Sequence, residues 1–123
     1  MAVMWIWRQR LGVLYHNDVK QGEGYSGAGV DKNQPASQEL KNKGPIPAGV
    51  YGIGPPHRTD THGDHVLSLT PWKQNYMFGR DAFLIHGDSI ADPGTASEGC
   101  VILSRALREQ ISNSGDTVLV VLA

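Results

Sequence analysis

Short runs of β-forming residues alternate with polar, glycine-rich stretches along most of the chain. Residues 3–8 and 11–15 are rich in β-formers and flank a short polar break, which predicts a β-hairpin. Because alternate residues of a strand point to the same side, Trp5 and Trp7 are expected to share one face. The hydrophobic pattern therefore opens with two antiparallel strands.

Between this hairpin and the middle of the chain the hydrophobic pattern is weak. Residues 17–29 are polar and rich in glycine, so we expect a loop that turns repeatedly, with a short extended piece near Tyr25. Residues 33–43 contain few apolar side chains, and Pro35 is compatible with a first helical turn, which predicts a short surface helix. Neither stretch is expected to contribute much to the core.

The second half of the chain returns to apolar runs of strand length. The run that leads into His86 is continuous and apolar, which is typical of a buried strand. The predicted strands of this half cover residues 50–53, 65–70, 82–85, 100–103 and 116–122. With the hairpin, they bring the prediction to about six or seven short strands.

One segment near the C-terminus carries the signals of an α-helix. Ser104 is a good N-cap for residues 105–113, where Leu107 and Ile111 recur at helical spacing, and Gly115 follows as a C-terminal stop. The chain thus predicts one helix, placed after the strand that begins at Cys100.

The predicted fold class is mainly β, a sandwich or curled sheet of short strands with one helix. The 15 glycines and 7 prolines are spread along the chain and favour many turns over a helical bundle. At 123 residues the chain is too short for two independent cores, so residues 1–123 are expected to form a single domain.

The charges of the chain are almost balanced, with 11 lysines and arginines against 12 aspartates and glutamates. No basic run supplies the surface that neutralises phosphates, so nucleic acid is not an expected partner. The longest apolar run, residues 118–123, is far shorter than the ~20 residues that span a bilayer, and no membrane insertion is expected. The N-terminus lacks the features of a signal peptide, which predicts synthesis in the cytoplasm without one.

The residues with catalytic potential concentrate around one loop. His86 ends a predicted strand, residues 87–99 form a turn-rich excursion, and Cys100 begins the next strand. Adjacent strands lie ~4.8 Å apart, so such a loop can bring thiol and imidazole together. A neighbouring imidazolium favours the thiolate, which makes Cys100 the candidate nucleophile, with a depressed pKa, and His86 its base.

The residues just before Cys100 fit a supporting role. Gly99 has no Cβ to crowd an attacked carbonyl, and the N–H groups of this turn are candidates for an oxyanion site, with Ser97 orienting the turn. The alternative is that the chain's one cysteine is a small core residue, since free cysteine is among the most buried residue types.

A second group of candidate residues lies in a polar loop. His57, His62 and His65, with Asp60 and Asp64, are of the types that bind zinc, so a metal-dependent hydrolase is an alternative hypothesis. Their spacing matches no compact metal motif, and an ordinary polar loop explains them as well. The leading hypothesis therefore assigns the chain no metal and no cofactor.

The residues around His86 and Cys100 resemble the signature of a known family, the bacterial L,D-transpeptidases. That signature is a histidine and a small residue, a gap of about a dozen or more residues, then Ser/Thr-His-Gly-Cys. Segments elsewhere are most similar to a small branch, the L,D-transpeptidase-like effectors exported by type VI secretion systems. The matching segments are His86-Gly87, Ser97-Glu98-Gly99-Cys100, and residues 24–27, 33–36, 44–51 and 79–87.

The resemblance implies a cysteine enzyme that acts on peptidoglycan stem peptides through a thioester. Water as the acceptor would make it an L,D-carboxypeptidase, and an amine or free D-amino acid would make it a transpeptidase. The residue after the histidine positions it in this family, which here leaves the carbonyl of Gly87 for that role. Glu98 stands in place of the second histidine of the signature, so the choice of acceptor stays open.

Stem peptides end in carboxylates, which a guanidinium can bind through two parallel hydrogen bonds. Arg80, shortly before His86, is the first candidate for this role and Arg105 is the second. A surface charge or a helix-end ion pair is the alternative for each of them.

The resemblance also implies where the protein acts and on what. It predicts an antibacterial toxin that is secreted, acts on the cell wall in the periplasm of target bacteria, and has a cognate immunity protein. A non-catalytic wall-binding module, in which Cys100 is merely packed, is the remaining alternative.

Overall fold

The computed structural model describes residues 4–123, which form a nine-stranded sheet and one α-helix. The strands are β1 (Trp5–Arg8), β2 (Val13–His16), β3 (Val19–Glu23), β4 (Tyr25–Ser26), β5 (Gly49–Thr59), β6 (Gly63–Pro71), β7 (Phe83–His86), β8 (Val101–Ile102) and β9 (Val118–Leu122), and the helix is α1 (Arg105–Ser114). The fold is therefore mainly β with one helix, as the sequence predicts.

The sheet curls until its two edges almost meet. Its strand order is β3-β2-β1-β9-β5-β6-β7-β8-β4, so the two edge strands are consecutive in the chain. Gly24 alone separates them, and a Cβ at Gly24 would collide with the backbone carbonyl of Ile102. The β1–β9 and β7–β8 pairs are parallel and the others antiparallel.

A single cluster of buried side chains fills the curl of the sheet. Trp5 and Trp7 are almost fully buried and share a face, and Leu107 and Ile111 bring the helix onto the same cluster. The Trp7 indole N–H donates to Gln9 Oε1 at 2.8 Å, so this large aromatic is buried without an unsatisfied donor. The core thus connects both ends of the chain to the strands around β7.

The elements with strong local patterns form where they are predicted. β1 and β2 pair as the predicted hairpin, although residue 3 of that prediction lies outside the described residues. The helix is capped as expected, because the Ser104 hydroxyl accepts from the Leu107 N–H at 3.2 Å and Gly115 adopts a φ of +77°.

Two predictions for the first half of the chain are wrong. Residues 17–29, expected to be a loop with a short extended piece near Tyr25, contain β4 at that piece and also the unpredicted strand β3, which raises the strand count to nine. β3 is an edge strand with mostly exposed side chains, so it carries no alternating apolar signal. The helix expected in residues 33–43 is absent from this described stretch, and only the short 3₁₀ turn Pro35–Ser37 forms there.

Candidate active site

One pocket of about 560 Å³ contains both His86 and Cys100. β7 ends at His86 and pairs in parallel with β8, so that His86 lies opposite Ile102. Cys100 is the residue directly before β8. The lining residues are Lys41, Asn42, Thr61, His62, Arg80, Asp81, Ala82, Phe83, His86, Thr95, Ala96, Glu98, Gly99 and Cys100. The fold therefore brings the predicted nucleophile and base to one cavity.

The imidazole of His86 is held in one tautomer. Its Nδ1 lies 2.9 Å from the carbonyl oxygen of Gly87. Because a carbonyl only accepts hydrogen bonds, Nδ1 carries the proton and Nε2 keeps a lone pair. The ring is 3% exposed, so its orientation is fixed by packing as well. This arrangement suits Nε2 to accept a proton.

Burial sets the protonation states of the two groups. It lowers the pKa of His86 below its ordinary value of 6.5, and this outweighs the hydrogen bond to Gly87. Burial also raises the pKa of the Cys100 thiol, against a hydrogen bond from the Leu84 backbone. The expected depressed pKa of Cys100 is therefore wrong: desolvation favours a neutral thiol beside a neutral imidazole. Among residues 4–123, no hydrogen bond joins the Cys100 Sγ to the His86 ring.

Ser97 and Ser26 hold the turn that carries Cys100. The Ser97 hydroxyl accepts from the N–H groups of Gly27 and Gly99 at 2.9 and 3.0 Å and donates to the Cys100 carbonyl at 2.6 Å. The Ser26 hydroxyl donates to the Gly99 carbonyl at 2.9 Å. The Gly99 N–H is thus engaged by Ser97 and is not the oxyanion donor expected from the sequence.

The Arg80 guanidinium donates hydrogen bonds to backbone carbonyls around the pocket, so few of its N–H groups are free to bind a substrate. It is 6% exposed and donates to four backbone carbonyl oxygens. These belong to Gln38, Gly44, Pro45 and Glu98. Four of the five N–H donors of a guanidinium are therefore used, which leaves too few for the predicted two-bond contact of Arg80 with a substrate carboxylate in this arrangement.

Arg80 also explains why residue 99 is glycine. Gly99 has a φ of +143°, and a Cβ there would lie 2.5 Å from Arg80 Nη2 and 3.0 Å from the Phe83 ring. The backbone next to Cys100 thus packs directly on the buried guanidinium.

The other predicted arginine lies away from the pocket. Arg105 is exposed, and its Nε lies 3.2 Å from Glu109 Oε2, an i,i+4 pair on the helix surface. It is not among the lining residues, so the geometry favours the helix ion pair, and its role in substrate binding stays a prediction.

The three loop histidines do not converge on one point. His57 is exposed, the His65 ring contacts the Ser112 hydroxyl at 2.7 Å, and His62 stacks on His86. Within the described ranges, no group of three or more His, Cys, Asp or Glu side chains is arranged to hold a metal ion. These histidines are therefore not grouped as the hypothesis of a metal-dependent hydrolase requires.

Two contacts at the site were not predicted from the sequence. His62 was interpreted as a metal ligand or as part of a polar loop, not as a partner of His86, and its ring centroid lies 4.2 Å from that of His86. Arg108 is 7% exposed, and a Cβ on Gly87 would lie 2.9 Å from its Nη2. The position of Arg108 next to Leu107 and one turn before Ile111 places it on the buried side of the helix, a signal that the charge of the residue obscures.

Comparison with known proteins relates this chain to a family and to a fold. The family model of the Tlde1 domain matches residues 20–119. No curated protein matches the sequence closely enough to count as a relative. Within the described residues, no helix is both long and apolar enough to cross a membrane.

Two solved structures share the fold. L,D-transpeptidase 3 from Mycobacterium tuberculosis, in complex with a faropenem-derived adduct, superposes with a TM-score of 0.55 at 15% identity, covering 99% of this chain and 60% of that one. An L,D-transpeptidase from Mycobacterium smegmatis gives 0.54 at 13% identity, covering 98% and 58%. The chain thus spans about three-fifths of the length of these structures.

The matched segment includes the whole pocket, from the loop before β5 to the turn that carries Cys100. The His-Gly and Ser-x-Gly-Cys motifs lie within it, at the positions where β7 ends and β8 begins. The chain belongs to the Tlde1 domain family, the type VI secretion L,D-transpeptidase effector family that its motifs resemble.

Proposed function

We propose that this protein is a cysteine enzyme that modifies peptidoglycan by cleaving or exchanging the terminal D-amino acid of stem tetrapeptides. The observation that carries the proposal is the His86 ring, held by the Gly87 carbonyl with Nε2 unprotonated, in the pocket that Cys100 lines. Family membership points to the same reaction class, since the two solved structures of this fold are L,D-transpeptidases.

In the first half of the reaction the Cys100 thiol attacks the carbonyl of the scissile peptide bond. The thiol proton passes to His86 Nε2 as the C–S bond forms, because both groups begin neutral. The C–N bond then breaks, and the imidazolium returns the proton to the leaving amine of the D-amino acid. The acyl group remains on sulfur as a thioester.

In the second half an acceptor attacks the thioester and gives its proton to His86. Water yields a shortened stem, and an amine yields an exchanged or cross-linked one; in both cases the thiol is regenerated. The N–H of Cys100 is the oxyanion donor that we propose for this turn, because the Gly99 N–H already donates to Ser97.

Lys41 is the residue that we propose for binding a substrate carboxylate. It lines the pocket, is exposed, and forms no ion pair with any acidic group of residues 4–123. Arg80 contributes its positive charge but few free donors. A single ammonium at the rim is sufficient to favour an anionic peptide end.

We further propose that residues 1–123 act as one catalytic domain, since a single buried cluster joins the sheet to the helix. As a type VI effector, the protein would act in the periplasm of a target bacterium, and the producing cell would need an immunity protein that blocks this pocket. Peptidoglycan stem peptides and that immunity protein are its proposed partners.

The test combines a purified substrate with expression in a target compartment. The experiment compares three proteins, wild type, Cys100→Ala and His86→Ala. Each is incubated with disaccharide tetrapeptide and with disaccharide pentapeptide, and the masses of the products are measured by mass spectrometry. We expect loss or exchange of the terminal D-alanine from the tetrapeptide with wild type only, and growth arrest when wild type is directed to the periplasm. Equal activity of the Cys100→Ala protein would refute a thiol mechanism, and an absence of any tetrapeptide product would refute the substrate assignment.

A further inference from the structure

The His62 ring lies flat against the His86 ring inside the pocket. The two centroids are 4.2 Å apart and the planes differ by 28°. His62 is half-buried, and both residues line the cavity that contains Cys100. His62 comes from the turn between β5 and β6, so a distant hairpin supplies one wall of the site.

Hydrogen bonds join the β5–β6 hairpin to α1, and they hold His62 in its stacked position. The Arg108 guanidinium donates to the carbonyls of Asp64 and His65 at 2.9 and 3.2 Å. The His65 ring contacts the Ser112 hydroxyl at 2.7 Å, one turn further along the helix. Within the turn, the His62 N–H donates to the Thr59 hydroxyl at 2.8 Å. Helix, hairpin and His86 therefore form one connected arrangement.

We propose that His62 is a positioning residue that holds the His86 imidazole by stacking and shields its face from water. This inference rests on the function proposed above, in which His86 Nε2 exchanges protons with Cys100 and the leaving amine. The Gly87 carbonyl fixes the ring at Nδ1, and the His62 ring supplies the packing on one of its faces. This stack keeps Nε2 directed into the pocket.

The charges around His86 come from three separate elements. His62 faces it from the β5–β6 hairpin, Arg108 from the helix and Asp88 from its own loop, while Cys100 shares the pocket. Burial is the largest influence and lowers the pKa of His86; His62 and Arg108 lower it further and Asp88 raises it. Removing the His62 ring would expose His86, so its pKa should rise towards the ordinary value.

The sign of the pH effect follows from the role of His86 as a base. His86 must be neutral to accept a proton, so activity is present above its pKa and lost as the pH falls through it. A variant in which that pKa is higher loses activity at a higher pH. The acid limb of the rate profile should therefore move upward in His62→Ala.

Three variants separate positioning from proton transfer. His62→Ala removes the stack, His62→Phe keeps a flat ring without a titratable nitrogen, and His57→Ala is the matched control on the same hairpin. We expect kcat of His62→Ala to fall about 10- to 100-fold, as for a slightly misplaced base, with a smaller change in KM. His62→Phe should retain most of the activity, and His57→Ala should match wild type.

An NMR titration of the His86 ring, performed on Cys100→Ala protein, provides a readout that needs no activity. We expect the His86 pKa to rise in His62→Ala, to rise less in His62→Phe, and to be unchanged in His57→Ala. An unchanged His86 pKa and rate in His62→Ala would overturn the proposal. A loss in His62→Phe as large as in His62→Ala would also overturn it, because that result requires the imidazole itself.

The two proposals can fail separately. If Cys100→Ala cleaves tetrapeptide as well as wild type, the thiol mechanism fails whatever the titration shows. If Cys100→Ala is inactive but His62→Ala resembles wild type in both measurements, the thiol mechanism stands and the role of His62 is refuted.

Discussion

Two charged residues flank the Cys100 thiol and act on it in opposite directions. After burial, which raises its pKa, the Glu98 carboxylate raises the pKa further and the Arg80 guanidinium lowers it. Glu98 is exposed and occupies the position of the second histidine of the family signature, whereas Arg80 is buried beneath the turn. Glu98, which replaces the second histidine of the signature, thus makes the Cys100 thiol harder to ionise.

Glu98→Gln should make Cys100 more reactive at neutral pH. Removing the carboxylate charge lowers the thiol pKa, so the midpoint of iodoacetamide alkylation against pH should move down. The wild-type midpoint itself is expected above that of a free thiol, because burial raises the pKa of Cys100.

Glu39→Gln is the matched control, because Glu39 is exposed and does not line the pocket. Its alkylation profile should coincide with that of wild type. A wild-type midpoint well below that of a free thiol would contradict the neutral resting pair, and an unchanged midpoint in Glu98→Gln would contradict the role of its charge.

At the scale of elements, the loop between β7 and β8 is anchored to β4. The Tyr25 hydroxyl donates to Asp88 Oδ1 at 2.6 Å and accepts from the Ala96 N–H at 2.9 Å. The same carboxylate accepts from the Gly94 N–H at 3.0 Å. Burial and the Asp88 contact raise the pKa of Tyr25 to about 12, which keeps this hydroxyl protonated. The loop that separates His86 from Cys100 is therefore held at both of its ends.

Tyr25→Phe should loosen this loop without unfolding the protein. Two hydrogen bonds are lost and the Ala96 N–H is left without its partner, at an expected cost of about 1–3 kcal/mol. Hydrogen exchange of the Gly94 and Ala96 amides should accelerate. Tyr76→Phe is the control, since Tyr76 is 73% exposed; equal protection of the loop in both variants would refute the anchoring role of Tyr25.

At the scale of the whole molecule, the curl of the sheet depends on close approach between its two edges. Gly24 joins the edge strands β3 and β4, and its N–H donates to the Gly12 carbonyl at 2.9 Å. A side chain at this position would meet the Ile102 carbonyl and the Leu103 side chain. Closure of the sheet and the placement of β8 are thus linked through one glycine.

Gly24→Ala should destabilise the fold by about 1–3 kcal/mol, because the Ile102 backbone and the Leu103 side chain must move to admit a methyl group. Urea unfolding measures this as a lower midpoint. Gly52→Ala is the matched control, since the nearest atom to a Cβ there is the Thr70 carbonyl oxygen at 3.8 Å. A midpoint in Gly24→Ala no lower than in Gly52→Ala would contradict the close approach.

Structural features that depend on interactions between residues close in sequence are predicted correctly, and features that depend on residues far apart in sequence are not. The β1–β2 hairpin and the helix with its Ser104 cap are correctly predicted because their signals lie within a few residues of one another. β3 is missed because an edge strand needs no apolar alternation. β4 forms at the extended piece expected near Tyr25, but its pairing with β8 is not predicted because that partner lies far along the chain.

The mainly β fold, the family, and the candidate pair His86 and Cys100 follow from the order of residues alone. The hydrogen bonds from Arg80 to backbone carbonyls, the stacking of His62 on His86 and the neutral resting thiol follow only from the folded arrangement. These outcomes depend on burial and on contacts between residues far apart in sequence. Both arise when the sheet curls and excludes water, and no local pattern of residues records them.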